Sequence, residues 1–269
     1  MDNTYKSDDA YELSVSLVLF KNSPYIVTSL LNSIFEESID VKIKLYVIDN
    51  SPNTFLSDIV HEFGGHYTSN SKNSGYGSAH NQAIFNADKS RYHLIINPDV
   101  IIHSGSLKKL LQFMDNNSDI GIVTPRILNP DGSDQFLNKR YPNVLDLFIR
   151  RFLPSLLCKT IFKGRIEHYE MRDAGYDSIC DVEFISGCFM LCRTDVLKKI
   201  GGLDTRFFMY LEDCDLSRKV QNAGYKTVYF PDATITHYWE RASHKNFKMT
   251  LWHIQSAVRY FNKWGWSFW

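Results

Sequence analysis

Short apolar runs alternate with helical patterns between Ser14 and Thr124, and this alternation constrains the fold more than any other feature. The runs, such as residues 14–20 and 42–48, are apolar on both faces. Strands of this kind that are separated by helices form a parallel sheet covered on both sides. The sequence therefore predicts an α/β fold with a mostly parallel central sheet flanked by helices.

The pattern divides the chain into two contiguous halves, residues 14–125 and 126–269. In the first half we predict strands at residues 14–20, 42–48, 66–68, 92–96 and 120–123, and helices at 25–35, 55–63, 79–86 and 107–114. In the second half we predict strands at residues 182–191 and 226–230, the latter stopped by Pro231, and helices at 194–199 and 212–223. Residues 126–180 interrupt the pattern and are predicted to form an insertion.

Charge and cysteine content exclude several classes of protein. Thirty basic and thirty acidic residues give no net charge, so no overall field attracts nucleic acid. Five cysteines without a C-x-x-C pair argue against a disulfide framework and favour a reducing, cytoplasmic location. The N-terminus is polar, without a secretory signal pattern, and no apolar run approaches the roughly 20 residues of a membrane span.

Two buried strands of the first half end in an acid. Residues 44–48 lead into Asp49, and residues 93–96 lead into Asp99. In an open parallel sheet, ligands bind beyond the carboxyl ends of the strands, so both acids are expected at one edge. The alternative is that each acid merely opens a turn. Between them, the glycine-containing segment 73–81 lacks the dinucleotide fingerprint because its sixth position from Gly75 is His80, which disfavours a dehydrogenase.

These segments together resemble glycosyltransferase family 2, and most nearly its bacterial rhamnosyltransferase branch. The resemblance spans roughly residues 14–264. It is carried by residues 16–22, 47–51, 73–81, 94–100, 184–188, 201–204, 207–215, 224–225 and 231–237. It implies the GT-A fold, in which a nucleotide-sugar-binding half is continuous with an acceptor-binding half. It also implies inverting transfer of a sugar from a nucleoside diphosphate.

The resemblance assigns roles to residues of both halves. Asp99 would hold Mg²⁺ or Mn²⁺ at the diphosphate, with His237 as a second ligand; the alternative for His237 is a hydrogen-bonded histidine at a strand end. Many relatives carry a D-x-D pair, whereas Asn97 replaces the first acid here. The residues expected to bind the sugar donor are Asp49, Asn73, Gly75, Gly77, Asn81, Asn97 and Asp99, and Gly187 and Glu212 are expected to bind the acceptor.

Asp213 is the predicted general base. It lies three residues before Leu216 and seven before Val220, so helical spacing turns it inward with them, whereas Asp215 is directed away. A helix N-terminus would help to keep it ionised. The alternative is that Glu212, Asp213 and Asp215 merely favour a helix start. The family's Glu-Asp pair supports the catalytic role, with Glu212 as the lesser candidate.

The expected reaction is transfer of a sugar, L-rhamnose from dTDP-L-rhamnose, to a polyprenyl-diphosphate-linked surface glycan such as O-antigen. A sugar nucleotidyltransferase is disfavoured because the first strand is not followed by a glycine-rich basic loop. A catalytically silent nucleotide-sugar-binding subunit is disfavoured because the carboxylates are present. The aromatic tail at 251–269 and the basic, apolar segment at 145–162 are expected either to contact the inner membrane surface peripherally or to cover the core of the second half.

Overall fold

The predicted sheet is present and continues through both halves of the chain. The computed structural model describes residues 11–36, 41–52, 56–87, 90–239 and 247–269. The described strands are β1 (Tyr11–Leu19), β2 (Ile43–Asp49), β3 (His66–Ser69), β4 (Ser90–Ile96), β5 (Val100–Ile102), β6 (Ile120–Leu128), β7 (Cys180–Asp181), β8 (Phe189–Arg193) and β9 (Lys226–His237). The polar N-terminus, residues 1–10, and the predicted helix start at Phe55 lie outside the described residues.

Ten helices are described around this sheet, together with a short 3₁₀ helix at Arg172–Ala174. They are α1 (Pro24–Glu36), α2 (Ser57–Glu62), α3 (Tyr76–Asn86), α4 (Ser106–Asn116), α5 (Val144–Phe152), α6 (Ser155–Lys159), α7 (Lys163–Tyr169), α8 (Thr194–Lys199), α9 (Glu212–Asn222) and α10 (Phe247–Trp264). Pro154 separates α5 from α6 because proline cannot continue a helix. None of the described helices is long and apolar enough to cross a membrane.

The strand order is β3-β2-β1-β4-β8-β6-β9-β5, with β7 also paired to β9. Six described strands run in one direction, and β5, β7 and β8 run against them. The mostly parallel sheet is therefore confirmed. β8 is antiparallel to both of its neighbours, β4 and β6, and it joins the four strands β3, β2, β1 and β4 to β6, β9 and β5.

Both faces of the sheet are buried. Leu94 and Ile96 pack into a cluster with α1, α2 and α4, whereas Ile95 between them packs into a second cluster with α3, α8 and α9. This is the period of two expected of a strand covered on both sides. Full burial of each such side chain stabilises the fold by roughly 1.5–3 kcal/mol.

Three sequence predictions for the second half are wrong in detail. The strand predicted at 182–191 is limited to Phe189–Arg193, because residues 186–188 form a turn beside the cavity described below. Pro231 does not end β9; the pairing with β6 shifts register there, from Pro125 opposite Phe230 to Arg126 opposite Thr234, so the proline occupies a bulge. The insertion predicted from residue 126 begins later, since β6 continues to Leu128.

Candidate active site

A cavity of about 1310 Å³ lies beyond the carboxyl ends of β4 and β9. Asn97, which follows β4, and His237, which ends β9, contribute one part of its wall. Gly187 and the start of α9, including Glu212 and Asp213, contribute another part. The structure thus brings residues from distant parts of the sequence to one cavity, at the sheet edge predicted from the strand ends.

His237 lines this cavity, and Asp99, which is not among the lining residues, lies directly against it. Asp99 Oδ1 lies 3.4 Å from His237 Nε2, and both atoms are buried without a hydrogen-bond partner among the described residues. The short strand β5, which the sequence did not reveal, creates this proximity: Val100 pairs with His237, and Tyr238 N donates to Asp99 O at 2.8 Å. Buried polar atoms are normally bonded, so two that face each other unbonded indicate a place for a ligand.

Gln135 determines which nitrogen of His237 is free. Its side-chain Nε2 donates to His237 O and to Asn129 Oδ1, both at 2.9 Å, so its Oε1 must be the atom that faces His237 Nδ1, at 2.7 Å. Because a carbonyl oxygen only accepts, Nδ1 carries the hydrogen. The nitrogen that faces Asp99 is therefore Nε2, the one that does not bond to Gln135, and a metal-binding histidine held by an outer partner has this arrangement.

These atoms suit a divalent cation of the Mg²⁺ or Mn²⁺ type. Such ions are commonly held by one or two protein groups, with phosphate oxygens and water completing the shell. The described residues contain no group of three or more His, Cys, Asp or Glu that could hold a metal alone. Asn97, in place of the expected first acid, is uncharged, and its Oδ1 lies 3.2 Å from the Tyr76 hydroxyl, whose one hydrogen is donated to Gly187 O. Asp99 and His237 thus fit a cation that a bound diphosphate would share.

Asp213 occupies a different part of the cavity and is fully hydrogen-bonded. Its Oδ2 accepts from Gly187 N at 2.9 Å, and its Oδ1 accepts from Cys214 N at 2.9 Å. Gly187 also lies close, since a Cβ there would be 3.3 Å from the Asp213 Cβ. The Tyr76 hydroxyl donates to Gly187 O at 2.7 Å and fixes this turn. The carboxylate is therefore held in one orientation on the cavity wall.

Burial raises the pKa of both acids at the start of α9. Desolvation is the largest cause for Glu212 and the charge of Asp213 is the second, and Oε2 of Glu212 has no partner among the described residues. For Asp213, desolvation also raises the pKa, but the positive charge of Lys139 and the Gly187 and Cys214 N–H groups oppose it. When the environment makes the pKa values of two adjacent carboxyls differ, the two groups can take different roles. Here Glu212 holds a proton more tightly than Asp213.

This result changes one part of the sequence argument. A helix N-terminus was expected to keep Asp213 ionised, but desolvation outweighs it and the pKa is raised. A pKa nearer to neutrality suits a general base better than the usual value of about 3.9, because the group then holds the accepted proton more firmly.

The backbone before α9 has an unusual conformation. Tyr210 and Leu211 have φ angles of 73° and 64°, in the left-handed region that side chains other than glycine rarely adopt. Each such residue costs of order 1 kcal/mol, and this backbone is maintained only where its surroundings require it. Here the strained pair turns the chain so that the next two residues, Glu212 and Asp213, both reach the cavity wall.

Asp215 is directed away from the cavity, as predicted, but it is not at the surface. It is fully buried, accepts from Trp264 Nε1 at 2.7 Å, and pairs with Lys263 at 2.7 Å. Lys263 also pairs with Asp204 at 2.9 Å. Asp215 therefore connects α9 to α10 through Lys263 and Trp264, and its role is to stabilise the fold.

Two of the residues predicted to bind the sugar donor, Asp49 and Asn73, bond to neighbouring residues of the chain. Asp49 ends β2 as predicted, but it is buried, with Oδ1 accepting from Ser51 N at 2.7 Å and Oδ2 from the Tyr67 hydroxyl at 2.6 Å. Asn73 accepts from Gly75 N at 2.9 Å, inside the loop. Within the described part of the chain, neither residue lines the cavity. Their contact with a nucleoside remains a prediction.

The loop ends earlier than expected, because α3 begins at Tyr76 rather than at residue 79. Gly75 has a φ of 87°, and a Cβ there would lie 2.6 Å from Phe208 O. Gly77 and Asn81 consequently lie within the helix. Gly77 packs against Leu203, and the Asn81 carboxamide is used in both directions, donating to Leu203 O at 2.7 Å and accepting from Leu203 N at 2.9 Å. Both residues contact Leu203 within the chain, and their binding of the sugar donor remains a prediction.

Sequence reasoning missed three residues of the site. Tyr76 bonds to Gly187 and contacts Asn97, Gln135 orients His237, and Lys139 lines the cavity. Tyr76 lies within the segment 73–81 that carries the family resemblance, so the sequence contained a signal for it. Gln135 and Lys139 lie in the insertion, where no periodic pattern marks them.

Two solved structures share this architecture. GalNAc-T7 with UDP, GalNAc and Mn²⁺ superposes with a TM-score of 0.64 at 13% identity, over 86% of this chain and 44% of that one. The mannosyltransferase PcManGT of Pyrobaculum calidifontis, with GDP-Man and Mn²⁺, gives 0.63 at 14% identity, over 94% and 64%. At these identities the likeness establishes the fold alone, which is the predicted GT-A type.

The family follows from the sequence comparison. The model of the glycosyltransferase-like family 2 matches residues 13–252, and the chain therefore belongs to that family, as its motifs predicted. One relative, the N-acetylglucosaminyl-diphospho-decaprenol L-rhamnosyltransferase of Mycobacterium tuberculosis, is 29% identical over 62% of this chain and 56% of its own length. The rhamnosyltransferase WbbL of Escherichia coli is 28% identical over 82% and 83%. The match thus spans little more than half of the mycobacterial relative.

Proposed function

We propose that this protein is an inverting glycosyltransferase that moves a sugar from a nucleoside diphosphate to an acceptor hydroxyl. The observation that carries the proposal is the cavity wall, which includes His237, with the Asp99 carboxylate against its Nε2, and an oriented carboxylate, Asp213. The acceptor hydroxyl would lose its proton to Asp213 as the oxygen attacks the sugar. A divalent cation at Asp99 and His237 would neutralise charge on the leaving diphosphate.

Glu212 has a supporting role in this proposal. Its raised pKa favours the protonated form, which can donate a hydrogen bond to an acceptor oxygen. The neutral side chain also leaves Asp213 as the main negative charge at this part of the wall. Gly187 contributes through its backbone, since its N–H holds Asp213 and its position allows a ligand close to the chain.

The proposed sugar is L-rhamnose, supplied as dTDP-L-rhamnose. The support is that two relatives, from Mycobacterium tuberculosis and Escherichia coli, are named rhamnosyltransferases. The proposed acceptor is a glycan carried on a polyprenyl diphosphate, because the mycobacterial relative is named for N-acetylglucosaminyl-diphospho-decaprenol. Asp49 and Asn73 would contact the nucleoside at the neighbouring edge of the sheet. The product would be part of O-antigen or another cell-envelope polysaccharide.

We further propose that the protein works in the cytoplasm, on the inner membrane surface. Trp266, Phe268 and Trp269 at the end of the tail are exposed, whereas Tyr260 and Phe261 belong to a buried cluster. Trp264, which belongs to the same tail, donates a hydrogen bond to Asp215 inside the protein. We therefore assign the membrane contact to the three exposed aromatic residues. Replacing these three by serine should reduce binding to anionic vesicles at low salt and lower the melting temperature only slightly, through the loss of the Trp266 contact with Phe261. Equal vesicle binding by both proteins would contradict this assignment.

The direct test is incubation with a panel of nucleotide sugars and Mg²⁺ or Mn²⁺, with and without a prenyl-diphosphate-linked acceptor. We expect release of a nucleoside diphosphate that depends on acceptor and is largest with dTDP-L-rhamnose. Asp213→Asn provides the inactive control. Release of inorganic pyrophosphate from a nucleoside triphosphate and a sugar phosphate would instead identify a nucleotidyltransferase. Nucleotide-sugar binding without turnover of any acceptor would favour a silent binding subunit.

A further inference from the structure

Lys139 is a cation of the cavity wall to which the proposed reaction gives no task. Its side chain is partly buried and lies among the residues that line the cavity, as does Asp213. Within the described part of the chain its ammonium group forms no ion pair. Its side chain contacts the ring of Phe184, with Nζ 4.7 Å from the ring centroid.

The backbone holds Lys139 firmly in place. Lys139 N donates to Phe184 O at 3.1 Å, and Phe184 N donates back to Lys139 O at 2.9 Å. This pair of bonds is an isolated antiparallel bridge between the insertion and the segment that leads to Gly187. Lys139 is therefore anchored beside the turn that orients Asp213, and its ammonium group is not at the end of a freely moving loop.

The surrounding charges add to that of Lys139. Arg150 and Arg172, which also line the cavity, both pair with the single carboxylate of Glu170. Two guanidinium groups on one carboxylate leave an excess positive charge. The pKa of Lys139 is accordingly lowered, by desolvation first and by the charge of Arg150 second.

An ammonium group that is withdrawn from water without a counter-charge destabilises the folded protein unless a ligand supplies the charge. Asp213 and Glu170 offset only part of this cost, because neither forms an ion pair with Lys139 and their charges are outweighed by desolvation and by Arg150. We propose that Lys139, together with Arg150 and Arg172, forms an anion site that binds the diphosphate group of a substrate within this cavity.

A diphosphate matches the site because it is a compact, multiply charged anion with several acceptor oxygens for ammonium and guanidinium groups. This inference rests on the proposed function. The diphosphate can then come from the nucleoside diphosphate of the sugar donor or from the prenyl diphosphate of the acceptor. The chemistry is shared, and the two sources are separated by the probe that is used.

The experiment measures the binding of three probes by calorimetry: inorganic pyrophosphate, dTDP with Mg²⁺, and geranyl diphosphate. Lys139→Met should weaken at least one of these by about tenfold or more, and Lys139→Arg should retain most of the affinity, because the charge is kept. Lys108→Met is the matched control, since Lys108 is exposed on α4 and is not part of the cavity wall. A loss confined to dTDP assigns the site to the sugar donor, and one confined to geranyl diphosphate assigns it to the acceptor.

A second measurement needs no variant. Acetylation of the unmodified protein, followed by mass spectrometry, should label Lys139 less when pyrophosphate is present, while Lys108 is labelled equally. The proposal is overturned if Lys139→Met binds all three probes as the unmodified protein does, or if pyrophosphate gives Lys139 no protection. Because binding is measured without turnover, absence of glycosyl transfer would count against the proposed function and leave the anion site standing.

Discussion

The two reactive parts of the cavity are built in opposite ways. At the strand ends, Asp99 and His237 leave an oxygen and a nitrogen unbonded across 3.4 Å. At the start of α9, both oxygens of Asp213 already accept backbone N–H groups. The strand-end part is thus incomplete without a ligand, whereas the helix-start part is complete before one arrives. This difference is the one expected if, as we propose, the first part binds and the second reacts.

The two parts also differ in the backbone that supports them. Asp99 and His237 are joined by an ordinary antiparallel pair, β5 with β9. Glu212 and Asp213 follow two consecutive left-handed residues, Tyr210 and Leu211. Two consecutive left-handed residues therefore precede Glu212 and Asp213, whereas regular strand pairing supports Asp99 and His237.

The largest expected effect is at the strand ends. Asp99→Asn removes the carboxylate of the cation site, so transfer should be lost and metal-dependent nucleotide binding should weaken. Calorimetry with Mn²⁺, alone and with nucleotide, and a transfer assay measure the two effects. Asp232→Asn, at an exposed position on β9, the strand that ends at His237, is the control. Normal turnover in Asp99→Asn, or in the presence of a chelator, would contradict the assignment.

Asp213→Asn should lower kcat by about 10²–10⁴ and leave the affinity for the sugar donor nearly unchanged. In the unmodified enzyme the rate should fall as the pH decreases through the raised pKa of Asp213, because the protonated group cannot accept a proton. The variant should lack this acid limb. If Glu212→Gln is inactive while Asp213→Asn turns over normally, the roles of the two acids are reversed.

Asp215→Asn tests the opposite side of α9. Breaking a buried ion pair costs about 3–5 kcal/mol, so denaturant unfolding should show a loss of that order while the protein that remains folded keeps its activity. The pair Asp213→Asn and Asp215→Asn therefore separates activity from stability within one helix. A stable but inactive Asp215→Asn would place this residue in the reaction.

Gln135→Leu should weaken Mn²⁺ binding by about 10–100-fold, because His237 loses the partner that places the hydrogen on Nδ1. Nitrogen-15 NMR of His237 in the metal-free protein should show a mixture of tautomers in the variant and the Nδ1–H form in the unmodified chain. Gln135→Glu, whose carboxylate still accepts from Nδ1, should preserve the tautomer. An unchanged spectrum in Gln135→Leu would contradict the role.

The smallest expected effect is on the free energy of unfolding in Glu212→Gln. The folded state holds the Glu212 proton more tightly than the unfolded state, where the pKa is about 4.3, so the stability of the unmodified protein decreases as the pH rises above that value. Glutamine does not titrate. The variant should therefore match the unmodified protein near pH 4 and exceed it by about 1 kcal/mol or more near pH 8. A difference that does not change with pH would contradict the assignment.

The parts of this structure that sequence could predict are those set by local periodicity. The strands of the first half, the edge where Asp99 lies, and helix α8 at residues 194–199 all follow from apolar spacing and turn residues. These features depend on residues that are near one another in the chain. Helical spacing predicted Asp213 inward and Asp215 away, but in α9 Asp213 is half-buried on the cavity wall and Asp215 is fully buried.

The rest depends on contacts between distant residues, which periodicity does not report. β5 is only three residues long, and its pairing with β9 is what brings Asp99 to His237. The early start of α3 depends on Phe208, and the burial of Asp215 depends on Lys263 and Trp264. In each case the deciding partner lies far along the sequence.

The antiparallel strand β8 has a consequence for how the chain folds. Until β8 is synthesised, β4 has a partner on one side only, β1, and its other side is an open edge of apolar residues. Such an edge can pair with other chains. Closure therefore requires a contact of long sequence separation, which is slow to form. The emerging chain should be most prone to aggregation after β4 leaves the ribosome and before Phe189–Arg193 follows, and chaperone demand should be concentrated in that interval.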